Sequence, residues 1–285
     1  FEPMVGWVIN SVINSKINDI CVVTGYRHEL VEEYVSKLSY NLETVIQKER
    51  KGTGHAVMTA LSFLEKHAGG DALILGGDAP FVDKKTITKA YKAHKNSNNS
   101  ATIISSRLEN PVGYGRIVRD SDDYNVKAIV EESDASFGQR SIKEINSGAY
   151  WFKVDDLIKY LSLITNDTFQ GEYYLTSIIK LMIDAGLRVD AFETSSCNVA
   201  LGANDVCQLQ HLNDIARNKV IDGMMENGVK IPCRDGVIIG KWVEVGSGTT
   251  ILPGTILSGK TTIGKECIIG PNSQIVDSIV GDSAV

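Results

Sequence analysis

No stretch of about eighteen consecutive apolar residues occurs in this 285-residue sequence, so no segment is long enough to cross a membrane as a helix. Basic runs are equally scarce. None exceeds a few residues and the net charge is −6, which removes the electrostatic footprint of a nucleic-acid-binding protein. Cysteine is sparse too: Cys21, Cys197, Cys207, Cys233 and Cys267 are widely scattered and odd in number. That usage fits reduced thiols in a cytoplasmic protein better than a disulfide framework or a metal knuckle. An initiator Met is also missing. The chain opens Phe1-Glu2-Pro3, and Pro3 ahead of Met4, Val5, Val8, Ile9 and Val12 reads as an amphipathic helix already inside a fold. The expectation is a chain cut at both ends, with neither nucleic acid nor membrane as a partner.

What is present is enough for two domains, since 43% of the residues are hydrophobic. From Val237 to Gly281 an aliphatic residue returns every six positions, at Ile239, Val245, Ile251, Leu257, Ile263, Ile269 and Ile275, with Gly directly after it at 240, 246, 264 and 270. A period of six is neither helical nor that of an ordinary strand; it describes a chain climbing a triangular coil of short parallel strands. The expectation is a left-handed parallel β-helix, with the glycines at crowded corners. At roughly eighteen residues per coil the stretch gives fewer than three coils, whereas a repeat architecture needs about three units to stand alone, so the β-helix is expected to be unfinished here. A three-faced prism of this kind further predicts a homotrimer.

Residues 1 to about 200 alternate short apolar runs with helical patterns. Runs at 20–23, 44–46 and 72–75 precede helical segments at 29–38, 54–66 and 84–95, the mark of a doubly wound, mostly parallel, Rossmann-like α/β sheet. Strands at 101–105, 115–118, 126–131 and 148–152 follow without intervening helices and read as an antiparallel or mixed insertion walling a cleft. Helices are expected at 154–163 and 173–185, a strand at 189–192, and a long helix at 204–227 capped by Asn204 or Asp205. The first domain is expected to cover 1–227 and the β-helix 228–285.

In a parallel α/β sheet ligands bind beyond the carboxyl ends of the strands, which directs attention to three groups. Gln47 and Lys51-Gly52-Thr53-Gly54-His55-Ala56 follow the second run. The Gln47 amide offers a donor and an acceptor that can match the imide edge of uracil, and two glycines allow close backbone approach; the same residues also make a plain turn opening a helix. Gly76-Gly77-Asp78-Ala79-Pro80 follows the third run, where Asp78 either meets Mg²⁺ bridging phosphates or caps the next turn. Gly113-Tyr114-Gly115-Arg116, Glu131, Asn146 and Gln170-Gly171-Glu172-Tyr173-Tyr174-Leu175-Thr176 supply what a sugar site needs. Tyr173 and Tyr174 serve equally as helix-packing aromatics, and Glu131 beside Glu132 as a solvated strand end.

Taken in order, Gln47, GTGHA at 52–56, GDAP at 77–80, GYGRI at 113–117, IVEESDA at 129–135, EINSG at 144–148, GEYYLT at 171–176, Asn204 and the hexapeptides resemble the bacterial bifunctional N-acetylglucosamine-1-phosphate uridyltransferase and glucosamine-1-phosphate N-acetyltransferase family. The resemblance runs over essentially the whole chain. It implies Gln47, Gly52 and Thr53 on uracil, Asp78 and Asn204 on Mg²⁺, and Gly115, Glu131, Asn146, Tyr174 and Thr176 around the amino sugar. It further implies attack by N-acetylglucosamine 1-phosphate on the α-phosphorus of UTP with release of pyrophosphate. The family's acetyl-CoA site would lie beyond Val285 and its glycine-rich triphosphate loop before Phe1, so the chain as it stands is expected to turn over slowly. Ser133 stands where that family usually has Lys, and Gly76 where an aromatic is common. Two other readings share parts of the pattern: a nucleotidylyltransferase for another hexose 1-phosphate, and a non-catalytic assembly module that senses a nucleotide sugar.

Overall fold

The computed structural model describes residues 2–122, 124–166, 171–203 and 205–285. Gln170 and Asn204, both singled out above, lie outside the described residues. Two compact units emerge, Pro3–Leu201 and Gly202–Val285, the latter joined by Glu2. Their division at 201/202 falls ahead of the long helix that precedes the hexapeptides.

The first unit runs α1 (Met4–Asn14), β1 (Cys21–Thr24), α2 (His28–Ser36), β2 (Glu43–Ile46), α3 (Thr53–Thr59), α4 (Leu61–Glu65), β3 (Asp71–Ile74), α5 (Lys84–Asn96), β4 (Ala101–Arg107), β5 (Arg116–Arg119), β6 (Val126–Val130), α6 (Phe137–Arg140), β7 (Glu144–Lys153), α7 (Val154–Leu161), α8 (Thr176–Asp184) and β8 (Val189–Thr194). Strands β1 and β2 pair in parallel from Cys21↔Glu43 to Thr24↔Ile46. The larger sheet is mixed rather than mostly parallel. Strand β7 runs antiparallel to β3 on one side and to β4 on the other, and β4 continues in parallel to β8. The segment expected as part of a cleft wall is thus ten residues long and central. Its direction is set by pairing across the chain, which local pattern does not encode. Strands β5 and β6 form the expected antiparallel pair, attached to β7 through Arg116↔Ile145.

Central position explains the burial of β7. Tyr150 and Phe152 pack on one side with Ile103, Leu157, Ile178, Ile179 and Met182. Ala149 and Trp151 pack on the other with Ile104, Ile87, Ala90 and Val12. Successive strand residues point to opposite faces, so covering both faces with helices buries all four residues 149–152. Helix α5 begins where Asp83 accepts the Thr86 amide at 2.8 Å, an N-cap worth about 1 kcal/mol. The expected helix over 54–66 breaks at Ala60 into α3 and α4, and α8 begins at Thr176, leaving Tyr173 and Tyr174 ahead of it.

The second unit opens with α9 (Val206–Glu226), capped by Asp205, whose carboxylate accepts the Gln208 amide at 2.7 Å. Eight short strands follow: β9 (Ile238–Ile239), β10 (Glu244–Val245), β11 (Thr250–Ile251), β12 (Ile256–Ser258), β13 (Thr262–Ile263), β14 (Ile268–Ile269), β15 (Gln274–Val276) and β16 (Ile279–Val280). They make three narrow parallel sheets, β10-β13-β16, β11-β14 and β15-β12-β9. The registers Leu257↔Ile239, Ile269↔Ile251 and Leu257↔Ile275 bring every third hexapeptide into line. Ile239, Ile251, Leu257, Ile263 and Ile269 share a core with Ile221 of α9. The phase slips once: Ile263 pairs with Val280, a shift one residue short of the others.

Candidate functional site

The turn between β2 and α3 is held by its own chain. The Gln47 side-chain amide donates to the Gly52 carbonyl at 3.1 Å, and its nitrogen lies 2.9 Å from His55 Nδ1. Residues far along the chain complete the junction. The Gly54 amide donates to the Tyr173 carbonyl at 2.7 Å, the Tyr173 amide to the Lys51 carbonyl at 2.8 Å, and the Leu175 amide to the Thr53 hydroxyl at 3.0 Å. The glycines serve this junction first. A Cβ at Gly52, whose φ is +97, would meet the Tyr173 carbonyl oxygen at 2.6 Å, and one at Gly54 would meet Ile164 Cδ1 at 2.6 Å. Tyr173 approaches both glycines closely.

Beyond the junction the residues expected around a sugar gather. The Asn146 amide donates to the Gly115 carbonyl at 2.8 Å, and a Cβ at Gly115 would lie 3.1 Å from Glu131 Oε2. The Thr176 hydroxyl donates to Glu131 Oε1 at 3.5 Å. Burial pushes the Glu131 carboxyl above the usual carboxylate range, against the pull of the Thr176 hydroxyl. The Tyr174 phenol is raised by desolvation and by the nearby charges of Glu172, Glu131 and Asp134. Gly115, Glu131, Asn146, Tyr174 and Thr176 therefore occupy one neighbourhood.

One residue of this neighbourhood escaped the sequence reading. Tyr150, buried in β7, accepts the Asn146 side-chain amide at 2.7 Å on its hydroxyl oxygen, and Asn146 Oδ1 accepts the Gly148 amide at 3.1 Å. Both ends of the Asn146 amide are thereby oriented. Arg116, 1% exposed, donates to Glu132 at 2.6 Å, and Glu132 also accepts the Gly113 amide at 3.2 Å. The adjacent glutamates divide their work: Glu132 fixes the 113–116 turn, while Glu131 faces the cluster. An alternating strand pattern marks Tyr150 only as core, so nothing in sequence separates it from Phe152.

Asp78 follows β3 and is exposed, with no ion pair among the described residues. Gly76 leaves room for it, since a Cβ there would sit 2.7 Å from Asp78 Oδ1. Asp83 rather than Asp78 caps the helix that follows. No cluster of three His, Cys, Asp or Glu side chains suited to a metal exists among the described residues. A lone hard carboxylate beyond a strand still fits Mg²⁺, which is commonly held by one or two carboxylates together with substrate phosphates. Gln47 also lines a cleft of about 410 Å³ with Tyr26, Arg27, Lys48 and Arg50.

The profile of the nucleotidyl transferase family matches residues 1–253. The chain belongs to that family. Among curated nucleotidyl transferase relatives, Bifunctional protein GlmU of Caldanaerobacter subterraneus subsp. tengcongensis is 43% identical over 281 residues, 99% of this chain and 60% of the relative. Bifunctional protein GlmU of Acetivibrio thermocellus is 42% identical over 280 residues, covering 98% and 60%. The chain thus spans about three fifths of the length of these relatives. Among solved structures, a Bacillus anthracis chain described as a glucose-1-phosphate thymidylyltransferase superposes with a TM-score of 0.60 at 19% identity, over 75% of this chain and 82% of that one. The apo form of a UDP-glucose pyrophosphorylase gives 0.60 at 14% identity, over 76% and 87%. These two establish the nucleotidyl transferase fold and nothing finer.

Proposed function

We propose that the chain transfers a uridylyl group from UTP to N-acetylglucosamine 1-phosphate, giving UDP-N-acetylglucosamine and pyrophosphate. The observation that carries this reading is the junction of Lys51–Gly54 with Tyr173–Leu175. It ties the turn suited to a base to the segment that opens the sugar cluster. In this reading Gln47, Gly52 and Thr53 contact uracil, and Gly115, Glu131, Asn146, Tyr174 and Thr176 surround the amino sugar. An oxygen of the sugar phosphate bonds to the α-phosphorus of UTP, and the bond from that phosphorus to the bridging oxygen breaks, so pyrophosphate leaves with its electron pair. The substrate supplies its own nucleophile. The protein's work is alignment: Tyr150 and Gly148 fix the Asn146 amide, and the Arg116–Glu132 pair holds the turn at Gly115. Asp78 with Asn204 would hold Mg²⁺, which when bound offsets phosphate charge at the reacting centre.

Residues 1–227 are proposed as the nucleotidyltransferase domain and 228–285 as the start of a left-handed β-helix, supported by the eighteen-residue offset of the short parallel strands. A homotrimer built on that prism and an acetyl-CoA-dependent acetyltransferase activity of the whole protein belong to the same proposal. So does a cytoplasmic setting, supported by five unpaired cysteines. Calorimetric titration of the chain with UDP-N-acetylglucosamine and with a thymidine diphosphate sugar tests the substrate class. We expect at least a tenfold preference for the uridine compound, and a loss of about tenfold in Gln47→Ala and in Asn146→Ala. Equal affinity for both nucleotide sugars would overturn the proposal.

A further inference from the structure

Strand β7 is irregular where it passes the cluster. Neighbouring residues of β4, Ile104 and Ser105, pair with Ala149 and Asn146, so Ser147 and Gly148 stand between without partners on β4. Gly148 takes a φ of +77, open to glycine and strained for other residues, and the Ser147 hydroxyl donates to the Ile104 carbonyl at 2.6 Å, closing the interrupted ladder. Bulges of this kind re-aim side chains beside functional sites. On a regular strand, residues four apart are separated by about 13 Å; here Asn146 Nδ2 reaches the Tyr150 hydroxyl at 2.7 Å. The direction of that bond is fixed. The Gly148 amide can only donate, so the Asn146 atom it meets at 3.1 Å is the oxygen, and the atom facing Tyr150 is the nitrogen. An amide nitrogen cannot accept. The phenol oxygen therefore accepts, and its own hydrogen is left over.

No acceptor among the described residues takes that hydrogen. Tyr150 is 3% exposed, so bulk water does not serve it either, and a buried donor without an acceptor is costly. Burial, joined by the charge of Glu131, pushes the phenol's titration upward against the Asn146 hydrogen bond, and the hydrogen stays on at physiological pH. The ring of Tyr150 lies in the apolar core, while the contact with Asn146 and the influence of Glu131 put its hydroxyl at the cluster. Asn146 Nδ2 keeps a second hydrogen as well. Two neighbouring donors left over in this way call for an oxygen that has two lone pairs and brings no hydrogen of its own, which is a carbonyl. We propose that Tyr150 is a specificity-determining residue whose hydroxyl donates to the acetamido carbonyl of an N-acetylated sugar, so that the chain tells that sugar from one carrying a hydroxyl at the same carbon. The inference rests on the reading of the cluster as an amino-sugar site, and the base of the nucleotide does not enter it.

Titration calorimetry with UDP-N-acetylglucosamine and UDP-glucose, on the wild type and on Tyr150→Phe, tests it. The variant is expected to lose about tenfold for the acetamido sugar and less than about twofold for UDP-glucose, since a site built to hydrogen-bond one group discriminates strongly against its absence. Tyr160→Phe, which removes the hydroxyl of another largely buried tyrosine, is expected to bind both like the wild type. Unchanged affinities in Tyr150→Phe overturn the assignment, and so do equal losses for the two sugars, which would mean that Tyr150 only steadies Asn146. Should Tyr150→Phe fail to melt cooperatively, the ligand is altered instead. The N-thioacetyl analogue of UDP-N-acetylglucosamine, whose sulfur is a weaker acceptor than oxygen, must bind the wild type several-fold more weakly than the parent compound, and equality overturns the proposal. Thymidine diphosphate N-acetylglucosamine separates this inference from the uridylyl reading. If it binds the wild type as well as the uridine compound does and loses about tenfold in Tyr150→Phe, the uridylyl reading falls and Tyr150 keeps its role. If the uridine compound is preferred but Tyr150→Phe changes nothing, the uridylyl reading stands and Tyr150 loses that role. Binding of neither N-acetylated compound to the wild type overturns both.

Discussion

A methyl group at position 52 would sit 2.6 Å from a backbone oxygen, on a backbone whose φ is +97. Gly52→Ala is therefore expected to cost about 2–4 kcal/mol in urea denaturation, whereas Gly77→Ala, with open space around it, should stay within about 0.5 kcal/mol. Glu131 yields a pH-dependent expectation. Its folded-state pKa is raised, so its contribution to stability is complete below the ordinary carboxylate range and is lost as pH rises through the folded value. Glu131→Gln cannot ionise. It should melt above the wild type at about pH 8, the gap closing toward about pH 4. At this scale sequence reveals what spacing reveals. Gln47, Gly52, Thr53 and Asp78 follow apolar runs and declare themselves, whereas Tyr150 reads as core until its hydroxyl is found on Asn146. The glycines at 52 and 54 were visible, but their partner Tyr173 was not, because no local rule links positions so far apart.

Among elements, β7 holds the first unit together through a polar bridge as well as its core. Arg119 of β5 donates twice to Glu144 at the start of β7, at 2.8 Å each, and also to Asp190 and the Ala191 carbonyl of β8. Both partners are largely buried. Arg119→Ala is expected to destabilise by about 3–5 kcal/mol, and Arg119→Met/Glu144→Leu by clearly less, since the double change leaves no orphaned charge; chemical denaturation of both checks it. In the second unit the hexapeptide period announced the strands and their eighteen-residue spacing. Crowding at the glycines was legible only in part. Added Cβ atoms at Gly246 and Gly264 would meet backbone within 2.7 Å, and one at Gly270 the Thr255 hydroxyl at 2.2 Å, but Gly240 meets only ordinary contacts at 3.5 Å. Gly246→Ala should thus lower the unit's stability by about 2–4 kcal/mol, and Gly240→Ala by about 1 kcal/mol or less. The slip to Val280 was hidden, since a repeat read forward gives no sign of a shortened corner until the register is seen.

Over the whole molecule, each unit carries its own apolar core, so each is expected to contribute its own cooperative unfolding transition. Trp242 belongs to the second unit, and Trp7 and Trp151 to the first. In Trp7→Phe/Trp151→Phe, fluorescence should follow the second unit alone, while circular dichroism follows both; coincident curves from the two probes would contradict separate transitions. The division at 201/202 was not legible, because the pattern of α9 is the same whichever core receives Ile221. The hydrogen bonds from Lys51, Thr53 and Gly54 to the chain at 173–175 have one more consequence. A turn and a helix start joined this way cannot loosen independently, so stiffening either by its half of a ligand leaves less disorder for the other half to remove. The proposed nucleoside and sugar phosphate would then favour one another's arrival without touching, and amides on the far side of the junction would exchange with solvent more slowly once either had bound.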